Sequence, residues 1–227
     1  STGYEGGCVM FIPSEFAEAR LDEIKAIVTQ FPLATIVAVT DQGLVANHLP
    51  VLVDKPLDAV DTDQWTGRFI GHLSRRNSLH QTVGDGAPVL MIFQAENSYI
   101  SPNWYPSKPV HHRHVPTWNY QAVHCHGRIR FVDDDKSLRG IVGRMTKFFE
   151  TIYQQDKAWK MADAPADFLA DKLAGIVGFT IEIDRCLAKS KMSQNRDKGD
   201  FDNVAAETNA AGLTFMAHSM RKSDKSG

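Results

Sequence analysis

Hydrophobic and polar positions alternate between two periods along this chain, and the period assigns each segment. In LDEIKAIVTQ, residues 21–30, Ile24, Ile27 and Val28 recur at helical spacing, predicting an amphipathic helix stopped before Pro32. LATIVAVT (33–40) is apolar and β-branched, and DQG (41–43) reads as a hairpin turn into LVANHLPVLV (44–53). GRFIGHL (67–73) and PVLMIFQ (88–94) are two further strands, with a short helix expected over 74–83 between them. WNYQAVHCHGRIRFV (118–132) is a long strand whose Gly127 marks a bulge or bend. Over 135–155, Leu138, Ile141, Val142, Met145, Phe148, Phe149 and Ile152 form the clearest amphipathic helix. A second helical segment starts near Pro165, and GIVGFTIEIDRCL (175–187) alternates as a half-buried strand.

About six strands with helices between them predict a mainly β, antiparallel barrel with flanking helices. The early connections are too short for the crossover helices of a parallel sheet. The organisation expected is a leader at 1–9, one domain over 10–197, and a polar C-terminal helix or tail at 198–227.

Composition narrows the function classes. The 227 residues are 43% hydrophobic and 23% charged, an ordinary globular balance with a formal net charge of -2. No apolar run approaches the ~20 residues of a membrane span, and the first residues lack the pattern of a secretory signal. The three cysteines, Cys8, Cys125 and Cys186, are scattered and form no CxxC, indicating neither a zinc site nor a disulfide framework. Free thiols without a signal fit a cytoplasmic location. The acidic balance argues against direct DNA binding, and no helix-turn-helix or zinc finger is present.

Four segments could carry chemistry. GHLSRRNS (71–78) offers a hydroxyl, guanidinium forks and backbone N–H groups where a strand gives way to a helix, which suits a phosphate. The same residues also suit a solvated basic turn with Ser74 or Asn77 as a cap. Between 99 and 120 the rings of Tyr99, Trp104, Tyr105, Trp118 and Tyr120 could stack on a flat ligand, pin a long loop to the barrel, or fill a dimer interface. His111, His112 and His114 share that loop, but no zinc-ligand spacing or haem-attachment motif accompanies them. AKSKMSQNRD (188–197) concentrates donors where the last strand ends, and reads equally as a charged exit loop.

Taken together, ANHLPVLVD (46–54), GHLSRRN (71–77), VLMIFQAENSYISPNWY (89–105), VPTWNYQAVHCHG (115–127) and KMSQNR (191–196) resemble, in order and spacing, the PaiB-type family of FMN-binding negative transcriptional regulators. The resemblance runs from about Met10 to Arg196. It implies a split β-barrel, Greek-key-like and related to pyridoxamine-phosphate oxidase-like flavoproteins, in a homodimer with FMN at the subunit interface. On this sequence it makes His72, Ser74, Arg75 and Asn77 candidates for the FMN phosphate. Asn47, His48, Leu49 and Pro50 would line the isoalloxazine, and Gln94 would reach the ring's polar edge. Lys191, Ser193, Gln194 and Asn195 would approach from the far side or from the other subunit. HHRH at 111–114 lengthens the aromatic loop beyond the family's compact form. The resemblance leaves open a redox role on a small-molecule substrate, a regulatory role without flavin chemistry, and haem handling on the same barrel.

Overall fold

The computed structural model describes residues 10–61 and 64–223. The leader expected at 1–9 lies outside the described residues. Six strands form a closed barrel in the order β1-β2-β3-β6-β5-β4, with β1 Leu33–Thr40, β2 Gly43–Ala59, β3 Trp65–Ser74, β4 Pro88–Ile100, β5 Thr117–Val132 and β6 Ile176–Lys191. Its helices are α1 Leu21–Gln30, α2 Leu79–Thr82, α3 Lys108–His111, α4 Asp135–Gln154, α5 Ala166–Ala174, α6 Lys198–Ala210 and α7 Thr214–Ser223. Among the described residues, no helix is long and apolar enough to cross a membrane.

The chain divides into two compact units. One comprises Val28–Phe93 and Cys125–Cys186. In it β1 pairs antiparallel with both β2 and β4, and β3 with β2 and β6. Strand alternation turns Ala34, Ile36, Phe69, Leu73, Phe179 and Ile181 to a fully buried inner face. Gly71 opposes Phe179, and a Cβ there would lie 2.3 Å from the ring, so only glycine admits this packing. Gly127 is likewise a close approach: a Cβ would meet the Glu182 carbonyl oxygen at 2.3 Å. On the other side of the wall, Leu52 and Ile70 pack against Ile141, Met145, Phe148 and Phe149 of α4, whose first turn is capped by Asp134 accepting from the Ser137 N–H at 2.9 Å. The outward face of the β1–β2 hairpin differs. Leu33, Val39 and Leu44 are exposed there, Leu44 by 76%.

The other unit comprises Ser1–Ile27, Gln94–His124 and Leu187–Gly227. Ile100, Tyr105, Met192, Phe201, Val204, Ala205, Met216 and Met220 form its core. The segment read as a polar helix or tail is thus two helices, and each contributes buried side chains to that core.

Candidate functional site

The register of β2 decides what its motif residues can face. Leu33 opposes Pro50, Ala34 Leu49, Thr35 His48 and Ile36 Asn47. Asn47 and Leu49 therefore share the face of buried Ile36 and Ala34, while His48 and Pro50 turn outward with Thr35 and Leu33. Four consecutive strand residues cannot line one side of a ring, so the set expected around the isoalloxazine splits into two pairs. His48 Nδ1 lies 2.9 Å from Thr35 Oγ1.

The turn after β3 converges on Asn77. Its Nδ2 donates to Asn47 Oδ1 at 2.7 Å, its Oδ1 accepts from the Leu79 N–H at 3.0 Å, and its own N–H donates to the Ser74 carbonyl at 2.8 Å. Two motifs thirty residues apart are thereby joined, with Asn77 also meeting the first N–H of α2. Ser74 Oγ accepts from the Arg76 N–H at 3.2 Å and is exposed. His72 alternates with the inner face and opposes Gly178, beside which Leu138 and Ile141 of α4 pack. Burial lowers its pKa, and its Nδ1 has no partner among the described residues.

Arg75 is the most committed of the phosphate candidates. Its Nη1 donates to Asp133 Oδ2 at 2.9 Å and its Nη2 to Asp133 Oδ1. Nε donates to the Ala174 carbonyl at 2.9 Å and Nη2 to that of Ile176 at 3.0 Å, while the backbone N–H reaches Gly175 at 2.9 Å. It clasps the α5–β6 junction, and one Nη1 N–H remains uncommitted. The hydrogen bonds from Arg75 hold the Asp133 carboxyl below its ordinary pKa. Asp133, separated from Arg75 by 58 residues, carries no sequence signal of this pairing. The Arg76 side chain is exposed and has no hydrogen-bond or ion-pair partner among the described residues.

The remaining candidates lie in the other unit. Gln94 is exposed on β4. Lys191 Nζ donates to Thr117 Oγ1 and, at 3.0 Å, to the Trp118 carbonyl. Burial, with Lys189 and Arg196 nearby, lowers its pKa. Ser193, at a left-handed φ of 62°, exchanges bonds with Asn119 at 3.0 and 3.1 Å. Gln194 binds the Met192 N–H and the carbonyls of Ser190 and Glu15. Asn195 Nδ2 reaches Glu15 Oε1 at 3.4 Å. These side chains close their own loop. The aromatic segment divides as well: Tyr105 is core, with the Arg196 guanidinium 4.9 Å above its ring, whereas Tyr99 and Trp118 form an exposed edge-to-face pair at 6.2 Å.

Sequence reasoning missed a buried cluster beside them. Ser107 Oγ donates to Asp200 Oδ2 at 2.6 Å and lies 2.7 Å from His114 Nε2, and the Ser107 N–H reaches Asp200 Oδ1 at 3.0 Å. Asp200 sits at the head of α6, inside the stretch read as polar tail, so nothing local announced it.

A cavity of about 500 Å³ opens in the first unit between Val28, Pro32, Val51, Val53, Phe148 and Ile152, with Arg144 and Lys147 among its lining. None of the candidate residues above lines it.

Residues 10–185 match the family model described as "Putative FMN-binding domain". A relative in Bacillus subtilis, the protease synthase and sporulation protein PAI 2, is 32% identical over 86% of this chain and 87% of its own length. The chain belongs to the PaiB-type FMN-binding family. Two solved structures share the fold of this family member: the FAD and haem binding protein of Mycobacterium smegmatis, at TM-score 0.50 and 17% identity over 78% of this chain and 73% of that one, and a flavocytochrome of Azotobacter vinelandii, at TM-score 0.52 and 12% identity over 82% and 74%.

Proposed function

We propose that this chain binds FMN and works as a homodimer with the flavin at the subunit interface, carrying out redox chemistry on a small substrate. The observation that carries the proposal is the turn 74–77, tied to β2 through Asn77–Asn47. It presents the exposed Ser74 hydroxyl, whose oxygen accepts only from the Arg76 N–H among the described residues, beside the exposed Arg76 side chain. Arg75 is held at the surface by the Asp133 carboxylate and the Ala174 and Ile176 carbonyls. That donor set fits a phosphate dianion, which would take Arg75 from Asp133 because both offer the same two-oxygen geometry. FMN's ring is flat and amphipathic, and the outward hairpin face with Leu33, Val37, His48 and Pro50 gives it an apolar bed with one polar edge. A second copy would cover that face. When bound, the flavin supplies hydride or electron transfer, and the chain's residues hold, orient and shield it.

A regulatory role is the second reading, favoured by the sporulation protein to which the chain is similar. With 27 acidic residues against 25 basic ones, we place such a role in flavin or metabolite sensing rather than in direct DNA contact.

The test compares FMN with riboflavin, which has the same ring and no phosphate, on wild-type protein and on Arg75→Ala. FMN affinity should fall about tenfold or more while riboflavin affinity stays near its starting value. Equal loss for both ligands would make Arg75 only the clasp of the α5–β6 junction. If Arg76→Ala alone weakens FMN, the seat belongs to Arg76. No change in either variant would remove the turn from the site.

A further inference from the structure

Cys125 on β5 and Cys186 on β6, sixty-one residues apart in sequence, face each other inside the barrel wall with their sulfurs 2.9 Å apart. Both are free thiols and both are buried. The separation is closer than non-bonded sulfurs settle and wider than the ~2.05 Å of a bonded pair. They are also the residues at which the two strands leave their unit, Cys125 the first of its segment and Cys186 the last. Spacing along the chain hid the pairing, because only the adjacency of β5 and β6 creates it.

We infer that Cys125 and Cys186 form a dithiol–disulfide couple, oxidised by a small uncharged peroxide to a cross-strand bond between β5 and β6. The chemistry balances without further reagents. One thiol gives up its proton and attacks a peroxide oxygen, the O–O bond breaks, and a sulfenic acid and a first water result. The second sulfur then displaces the hydroxyl as a second water, the S–S bond forms, and two S–H bonds have been exchanged for one S–S bond. Each sulfur is oxidised by one electron and the peroxide is reduced by two.

Burial sets the rate and the selectivity. Desolvation, with the Cys186 sulfur beside it, pushes the Cys125 thiol well above its ordinary pKa, so little thiolate exists at neutral pH. Both sulfurs are buried, so a bulky disulfide such as oxidised glutathione needs a wider local opening to reach them than hydrogen peroxide does. Oxidation is therefore slow and specific. Once formed, the bond closes the chain around α4 and α5, and such closure restricts the unfolded state.

The test uses the 227-residue chain carrying Cys8→Ser, which leaves these two cysteines. After overnight exposure to excess hydrogen peroxide, the protein is unfolded in N-ethylmaleimide and weighed intact, beside an untreated sample. The untreated protein should take two maleimides. The treated one should take none, weigh two hydrogens less before alkylation, and yield a peptide joining Cys125 to Cys186. Its melting temperature should rise by several degrees, about 5 °C. Two maleimides after peroxide would overturn the inference. So would gains of oxygen without a cross-link, or a cross-link formed equally fast with oxidised glutathione. The mass measurements need no core substitution, so they hold even if Cys186→Ser does not fold.

Discussion

The chain carries two clusters of the same chemical kind in opposite settings. Around Arg75 and Asp133, the side chains are 40% and 60% exposed. Around Ser107, His114 and Asp200, the His114 and Asp200 side chains are 6% and 2% exposed. Both are made of short, charge-assisted bonds between distant parts of the chain. In water such a pair contributes little, because solvent competes for every donor and entropy opposes fixing long side chains. Buried, its loss strands groups that water cannot reach. The exposed cluster is thus available to exchange one anion for another, while the buried one is committed to holding its loop. Bond lengths alone would have ranked the two alike.

The largest effect should come from Asp200→Ala. It removes the acceptor of two Ser107 bonds and leaves His114 enclosed, at a cost on the order of 3 kcal/mol by urea unfolding. Asp133→Ala should leave the urea midpoint within error of wild type. Equal losses would erase the distinction between the clusters. A smaller but sharper effect concerns ligand: Asp133→Asn removes the charge competing for Arg75, and FMN should bind about three- to tenfold more tightly, with riboflavin unchanged. The smallest effect is in acid. Burial raises the Asp200 carboxyl, but the Ser107 hydrogen bonds outweigh it, and its net pKa is lowered. A depressed carboxylate contributes stability that is present above its unfolded pKa of about 3.9 and lost as pH falls through the folded value. Unfolding followed from pH 5 to about pH 2 should therefore show a shallower decline for Asp200→Asn than for wild type.

Much of the barrel was legible because its strands and α4 announce their period in single stretches of sequence. α1 ends where Pro32 required, and each of the six strands overlaps the segment its residue pattern assigned, although β2 runs on from 53 to Ala59 and β6 from 187 to Lys191. The ends were less legible. β4 runs to Ile100, beyond the Gln94 at which apolar character fades, because pairing continues after the hydrophobic signal stops. The helix expected over 74–83 shrinks to Leu79–Thr82, since Ser74–Asn77 is held as a turn by its own polar bonds. α6 and α7 were hidden by sparse apolar residues such as Phe201, Val204 and Met220, which suffice when they meet Ile100 and Tyr105. In the candidate site, the motifs located the segments but not their partners. That Asn77 would hold Asn47, and Arg75 would hold Asp133, depends on register and on the placing of α5, neither of which leaves a local trace.

The closed ring of strands limits how this protein can meet others. Closure satisfies the backbone along most of the ring, but β2 is paired on one side only over Gly43–Pro50, with β1 and not with β3, and that short stretch is where templated pairing could start. Assembly through the β1–β2 hairpin can therefore draw on that backbone edge as well as on side chains such as Leu33, Val39 and Leu44. The side-chain share of its strength can drift residue by residue over evolutionary time without disturbing the paired strands.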